Sequence, residues 1–114
     1  MLLNPEVNVF LCQKAVDMRK SIDGLSIVVA SAMEKNPGET GDIFLFYNKA
    51  INKLKVLYWD KNGFCLWYKR LEKGKFMIPK DIDLISYEQL RWLLDGLDIS
   101  KLQGNQKLSY SKFF

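Results

Sequence analysis

The tetrapeptide Asp60-Lys61-Asn62-Gly63 separates two runs rich in aromatic and β-branched residues, 54–59 and 64–70. A link this short makes its flanking strands antiparallel neighbours, because a parallel return needs a crossover of a dozen residues or more. The same logic extends outward. The run 43–48 connects to 54–59 through Asn48-Lys49-Ala50-Ile51-Asn52, and 64–70 connects to 75–79 through Glu72-Lys73-Gly74. The spacing therefore predicts a four-strand antiparallel meander. Within 54–59, Leu54, Val56 and Tyr58 share one face, and Lys55, Leu57 and Trp59 the other. Both faces carry bulky groups, so both need cover: a helix on one, and a second helix, an oligomer partner or a ligand on the other.

Helices are available for that cover. Met18, Ile22, Leu25, Val29, Ala32 and Met33 recur every three or four residues, and Arg19, Lys20, Asp23 and Ser26 fall opposite. This predicts a long helix over 18–35, capped by Asp17, stopped by Asn36-Pro37-Gly38, and carrying Gly24 at a close approach to the sheet. Ser86-Tyr87-Glu88-Gln89 has capping-box spacing, with Ile85 and Leu90 placed as a hydrophobic staple. Leu90, Leu93, Leu94 and Leu97 then form the buried side of a second helix that ends near Gly96. Val7 to Cys12 reads as a strand before the first helix. The expected class is α+β: an N-terminal strand and long helix packed on the meander, then the second helix and a polar C-terminal tail from Lys101 to Phe114.

The chain has 114 residues, enough for one domain with its own core. No apolar run approaches the roughly 18 residues of a membrane span, and the first residues lack the pattern of a signal peptide. The expectation is a cytoplasmic protein with no membrane contact. Cys12 and Cys65 fall among apolar neighbours and read as core residues rather than a disulfide. There is no histidine. That removes the commonest general base and any zinc site of usual spacing. No phosphate-cradling glycine loop is present, so no cofactor is expected. Asp17, Asp23 and Asp60 read as a cap, a helix-surface residue and a turn former, not as a converging metal site. No residue is assigned a catalytic role.

Charge singles out the middle of the chain. The net charge is +4, but residues 49–80 hold nine Lys/Arg against two Asp/Glu, and the segments on either side are net negative. A basic sheet rim favours a polyanion, and the bland alternative is an edge kept soluble by lysines. Lys55, Lys69, Arg70, Lys73 and Lys75 are the candidate nucleic-acid contacts in this segment. Arg19 and Lys20 join them, because cations in a first helical turn oppose the helix dipole and gain nothing there for stability. Trp59, Trp67 and Tyr68 are candidate partner-binding aromatics, able to stack bases or dock a protein, although aromatics in alternating strands are commonly core.

Several blocks also resemble a known family. The block from Asp17 to Leu25 (DMRKSIDGL), the strand from Ile43 to Phe46, the core from Leu54 to Phe76 and the late stretch from Leu90 to Asp98 (LRWLLDGLD) follow its order over about residues 7–98. The chain resembles the small accessory protein, TnpB-type, encoded by the second reading frame of insertion-sequence-66 transposons. It departs from the family pattern at Ser21 and at 36–41. The resemblance implies a bacterial mobile-element protein that works beside a larger catalytic transposase. It implies a transposition accessory with that transposase as a partner, and the basic segment adds DNA at the element ends. The alternative is a module that docks the transposase without binding DNA, and a homo-oligomer is compatible with either. It implies no catalytic residue.

Overall fold

The computed structural model describes residues 6–39 and 41–103. The sequence predicts a polar tail from Lys101, but residues 99–103 are helical and Ile99 is buried in the core; the rest of that tail, 104–114, lies outside the described residues. A five-strand mixed sheet forms the middle layer: β1 (Asn8–Leu11), β2 (Asp42–Tyr47), β3 (Lys53–Asp60), β4 (Gly63–Arg70) and β5 (Leu84–Ile85), in the order β4-β3-β2-β1-β5. Three helices accompany it: α1 (Ile22–Ser31), α2 (Tyr87–Leu94) and α3 (Ile99–Gln103). The class is α+β.

The meander is correct for three strands and wrong for the fourth. β2, β3 and β4 pair antiparallel in sequence order. Residues 75–79 form no strand. After Gly74, which takes φ +80, the Phe76 N–H donates to the Ile51 carbonyl, and the chain runs along the sheet end instead of returning beside β4. The fourth and fifth neighbours come from elsewhere. β1 lies parallel to β2, with α1 as the crossover, and β5 adds antiparallel to β1 through two residue pairs.

The long helix is shorter than its apolar stripe. Asp17 does not cap it. Its carboxylate accepts the Arg19 backbone N–H, two residues on, and closes a turn that precedes the helix. The helix starts after Ser21 and ends at Ser31, and Glu34 then turns left-handed at φ +56. Met18 and Met33, outside α1, still pack on the same cluster, which is why the stripe read longer than the helix. A Cβ on Gly24 would meet the Lys20 side chain at 3.2 Å, so that glycine faces the preceding turn and not the sheet.

The two helices divide the sheet faces as the alternation required. Leu25 and Val29 of α1 bury against Phe44, Phe46 and Leu57. Leu90, Leu93 and Leu94 of α2 bury against Val9, Leu11, Ile43, Leu45, Leu54 and Val56 on the other face. Each fully buried aliphatic side chain contributes about 1.5–3 kcal/mol, so both layers are essential. The start of α2 follows its sequence signature. The Ser86 hydroxyl accepts the Gln89 N–H, and the Gln89 side chain accepts the Ser86 N–H. At its end Gly96 adopts φ +87, and the N–H groups of Gly96 and Leu97 return to the carbonyls of Leu93 and Trp92. That left-handed turn is one glycine makes at no steric cost.

Candidate nucleic-acid interface

The two-residue turn at Lys61-Asn62 sets the register of the β3–β4 hairpin. Asp60 pairs with Gly63, and counting outward places Leu57 opposite Leu66, Lys55 opposite Tyr68 and Lys53 opposite Arg70. Opposed residues share a face. Lys53, Lys55, Trp59, Phe64, Tyr68 and Arg70 therefore lie on the α1 side, and Trp67 and Lys69 lie on the α2 side. The candidate aromatics are thus divided. Trp59 stands edge-to-face against Phe64, with ring centroids 5.0 Å apart. Trp67 packs against the α2 cluster. Tyr68 is the exposed one of the three, at 48%.

Two of the candidate cations are tied into the fold. The Lys55 ammonium donates to the carbonyls of Met18 and Lys20 at 2.8 and 2.7 Å, holding the turn before α1, and sits 5.7 Å from the Tyr68 ring centre. The Lys69 ammonium donates to the Leu94 carbonyl at 2.8 Å, at the last residue of α2. A cation there satisfies an orphan carbonyl and complements the helix dipole. Arg19 is bound to Asp17, with Nη2 2.6 Å from the carboxylate. The Arg19 side-chain and backbone hydrogen bonds hold the Asp17 carboxyl at about 2, against an ordinary 3.8. Lys20 is exposed, on the turn that Lys55 anchors.

Five further cations lie on or beside two segments that meet at one corner of the sheet. The 48–53 connection and the 71–76 segment are joined by two backbone hydrogen bonds, Leu71 N–H to the Asn52 carbonyl and Phe76 N–H to the Ile51 carbonyl. Lys49, Lys53, Arg70, Lys73 and Lys75 are carried on or beside these two segments, with Glu72 as the carboxylate among them. Arg70 pairs with Glu72 at 3.1 Å. The connection is built rigidly. The Asn48 carboxamide oxygen accepts the N–H groups of Asn52 and Lys53 at 3.1 and 3.0 Å, and its amide donates to Asn52 at 2.8 Å. Ile51 sits at φ +55, a costly conformation for a β-branched residue. Strain of this kind persists where surrounding contacts over-determine it, and it concentrates at working sites.

Lys49 and Lys53 were not among the sequence candidates. The hairpin register would have found Lys53, since the two-residue turn fixes its partner as Arg70. Lys49 depends on how the 48–53 connection folds back, for which the sequence carries no local signal beyond Asn48.

Other groups lie away from this corner. Cys12 is buried, and Cys65 is half-buried opposite Tyr58. Burial first, then Cys65, raises the Tyr58 pKa. A cavity of about 420 Å³ lies near the far edge, lined by Phe10, Cys12, Lys14, Met33, Lys35 and Asp83 among others, with the Lys35 ammonium 4.3 Å over the Phe10 ring. Among the described residues no His/Cys/Asp/Glu group of three or more could hold a metal, and no helix is long and apolar enough to cross a membrane.

Fold and surface together define a small α+β domain that carries five cations on two joined segments at one end of a mixed sheet. The family follows from comparison with known sequences. The model of the IS66 Orf2-like protein family matches residues 7–104, and the chain belongs to that family. Two relatives come from Sinorhizobium fredii (strain NBRC 101917 / NGR234). The uncharacterized protein y4jC is 37% identical over 100 residues, covering 85% of each chain. The uncharacterized protein y4hO is 35% identical over 95 residues, covering 81% of this chain and 82% of its own. No solved structure matches significantly. The family implies an accessory role in transposition and is not known as a catalytic one.

Proposed function

We propose that this accessory protein acts in transposition by holding DNA of the element through the corner formed by Lys49, Lys53, Arg70, Lys73 and Lys75. One observation supports the reading: two segments joined by backbone hydrogen bonds carry five cations and one carboxylate, Glu72, which pairs with Arg70, and Lys53 stands directly opposite Arg70. Like charges opposed across strands are destabilising, by up to about 1 kcal/mol. An anion between them would reverse that cost. Phosphate contacts of this type position a protein on nucleic acid without reading its sequence. Lys20 extends the same surface along the α1 side. The corner supplies binding, and the chemistry of strand transfer is left to the transposase.

A second reading, docking of the transposase, is favoured by Tyr68, a half-exposed aromatic on the outermost strand. Fluorescence anisotropy separates the two. Labelled duplex from the element's terminal inverted repeat, a scrambled duplex and a single strand are compared at two salt concentrations. The DNA reading expects binding that weakens with salt and is lost on replacing the corner lysines. No binding to any of the three, alongside salt-resistant co-purification with the transposase that Tyr68→Ala abolishes, would favour the docking reading.

A further inference from the structure

The sheet has two unlike ends. One is β5, two residues long. The other is β4, eight residues long, with no proline and no described strand outside it. A long edge is a template for strand pairing, and proteins that stay monomeric normally blunt it; β4 carries charge only at its Lys69-Arg70 end.

The direction of its hydrogen-bonding groups follows from the register. In a two-residue hairpin the closing pair, Asp60–Gly63, is hydrogen-bonded, and bonded and non-bonded pairs alternate from there. The bond from Leu71 N–H to the Asn52 carbonyl confirms the parity at the far end. The odd-numbered residues of β4 therefore bond to β3. Phe64, Leu66, Tyr68 and Arg70 turn their N–H and C=O groups outward.

We infer that this edge pairs antiparallel with β4 of a second copy of the chain, about a two-fold axis at Trp67. This register uses every outward group: Phe64 meets Arg70 of the second copy, and Leu66 meets Tyr68. Moving the axis by one residue to Leu66 leaves Arg70 outside the ladder. The side chains are self-complementary. On the α1 face Arg70 falls beside the other copy's Phe64, whose ring already packs on Trp59, and cations are attracted to such ring faces. Leu66 falls beside Tyr68. On the α2 face the two Trp67 side chains meet in a non-hydrogen-bonded pair, where side chains approach closest.

Charge selects this occupant and this direction. Lys69 and Arg70 lie at one end of β4, and its other end, from Gly63 to Tyr68, is uncharged. Parallel pairing in register would place Arg70 beside Arg70. Antiparallel pairing about Trp67 separates the two Arg70 residues by six strand positions, roughly 20 Å at ~3.4 Å per residue. That is about two Debye lengths at physiological salt. Both basic corners then lie at opposite ends of the interface, with their α1 faces on the same side of a continuous sheet.

The test is sedimentation equilibrium of the full chain from micromolar to near-millimolar concentration, with two variants. Tyr68→Pro removes an outward N–H that β3 does not use, which an edge strand tolerates. It should leave the far-UV spectrum and melting temperature of the monomer intact and weaken dimerisation at least tenfold, since the two-fold axis doubles each loss. In a Cys12→Ser, Cys65→Ser background, Trp67→Cys should form an intermolecular disulfide on mild oxidation, and Tyr68→Cys should not. A chain that stays monomeric throughout, or a dimer unaffected by Tyr68→Pro with no Trp67→Cys crosslink, overturns the inference. Hydrogen-exchange protection of the Leu66 and Tyr68 amides in a strict monomer would also overturn it, assigning the edge to this chain's own residues.

Discussion

Lys53 and Arg70 stand directly opposite each other at the open end of the β3–β4 hairpin, two cations held in register by the two-residue turn at Lys61-Asn62. Arg70 is also paired with Glu72 at 3.1 Å, on its own strand end, which leaves Lys53 as the cation opposite it. Lys53→Glu replaces repulsion by a cross-strand ion pair. It should raise stability by about 0.5 kcal/mol, a melting-temperature rise of roughly 2–4 °C. Under the DNA reading the same change should weaken DNA binding. Thermal denaturation and anisotropy on one sample check both signs, and a variant that loses stability would show that the pair is not in repulsion.

Lys55 and Lys69 hold carbonyls of the chain itself, so their loss should be felt in folding. Lys55→Met and Lys69→Met keep the stems and remove the ammonium. Each should cost about 1–2 kcal/mol in urea denaturation. Removal of Lys73, exposed and without a hydrogen bond to the described residues, should change stability by no more than about 0.5 kcal/mol. Equal effects for the three would contradict the distinction.

Asn48 gathers the connection that carries Lys49 and Lys53. Asn48→Ala removes the acceptor for the Asn52 and Lys53 N–H groups and should cost about 2 kcal/mol. Asn48→Asp keeps the acceptor and should restore most of that stability. If both variants melt like the parent, the connection is not organised by this side chain.

Asp17 should titrate near 2, well below an ordinary carboxyl, because Arg19 donates to its charged form. A depressed folded-state pKa stabilises the native state above the unfolded value near 3.8, and that contribution is lost as pH falls towards 2. The carboxyl is solvent-exposed, so the effect on global stability is small. The direct check is an NMR titration of the Asp17 carboxyl, in which Arg19→Ala should return the midpoint towards 3.8.

Much of the fold was legible because it is local. The turn at 60–63 marked a hairpin, and its two-residue length carries the register that the structure shows. Ser86 and Gln89 marked where α2 begins, and Gly96 where it ends. The stripe from Met18 to Met33 identified the face that α1 buries. What sequence reading missed is non-local or competitive. Asp17 has the chemistry of a cap, but its carboxylate closed a turn with Arg19 instead. The parallel pairing of β1 with β2 joins residues over thirty positions apart, with no signal in either strand alone. The 75–79 run has strand composition but spends the Phe76 N–H on the Ile51 carbonyl. The candidate site divided in the same way. The cluster of lysines was visible as charge in the sequence, but that Lys55 and Lys69 are tied to backbone carbonyls while Lys49 and Lys53 join the corner depended on tertiary contacts.

The central claim is that the corner is an anion-binding surface, and the salt dependence of DNA affinity tests it most directly. For the parent chain log affinity should fall linearly with log salt, with a slope of roughly 0.9 for each phosphate neutralised. Replacing Lys49, Lys53, Lys73 and Lys75 by Gln should flatten that slope, while replacing Lys14, Lys35, Lys80 and Lys101, outside the corner, should leave it nearly unchanged. Equal flattening by the two sets, or a parent affinity that does not change with salt, would contradict the account.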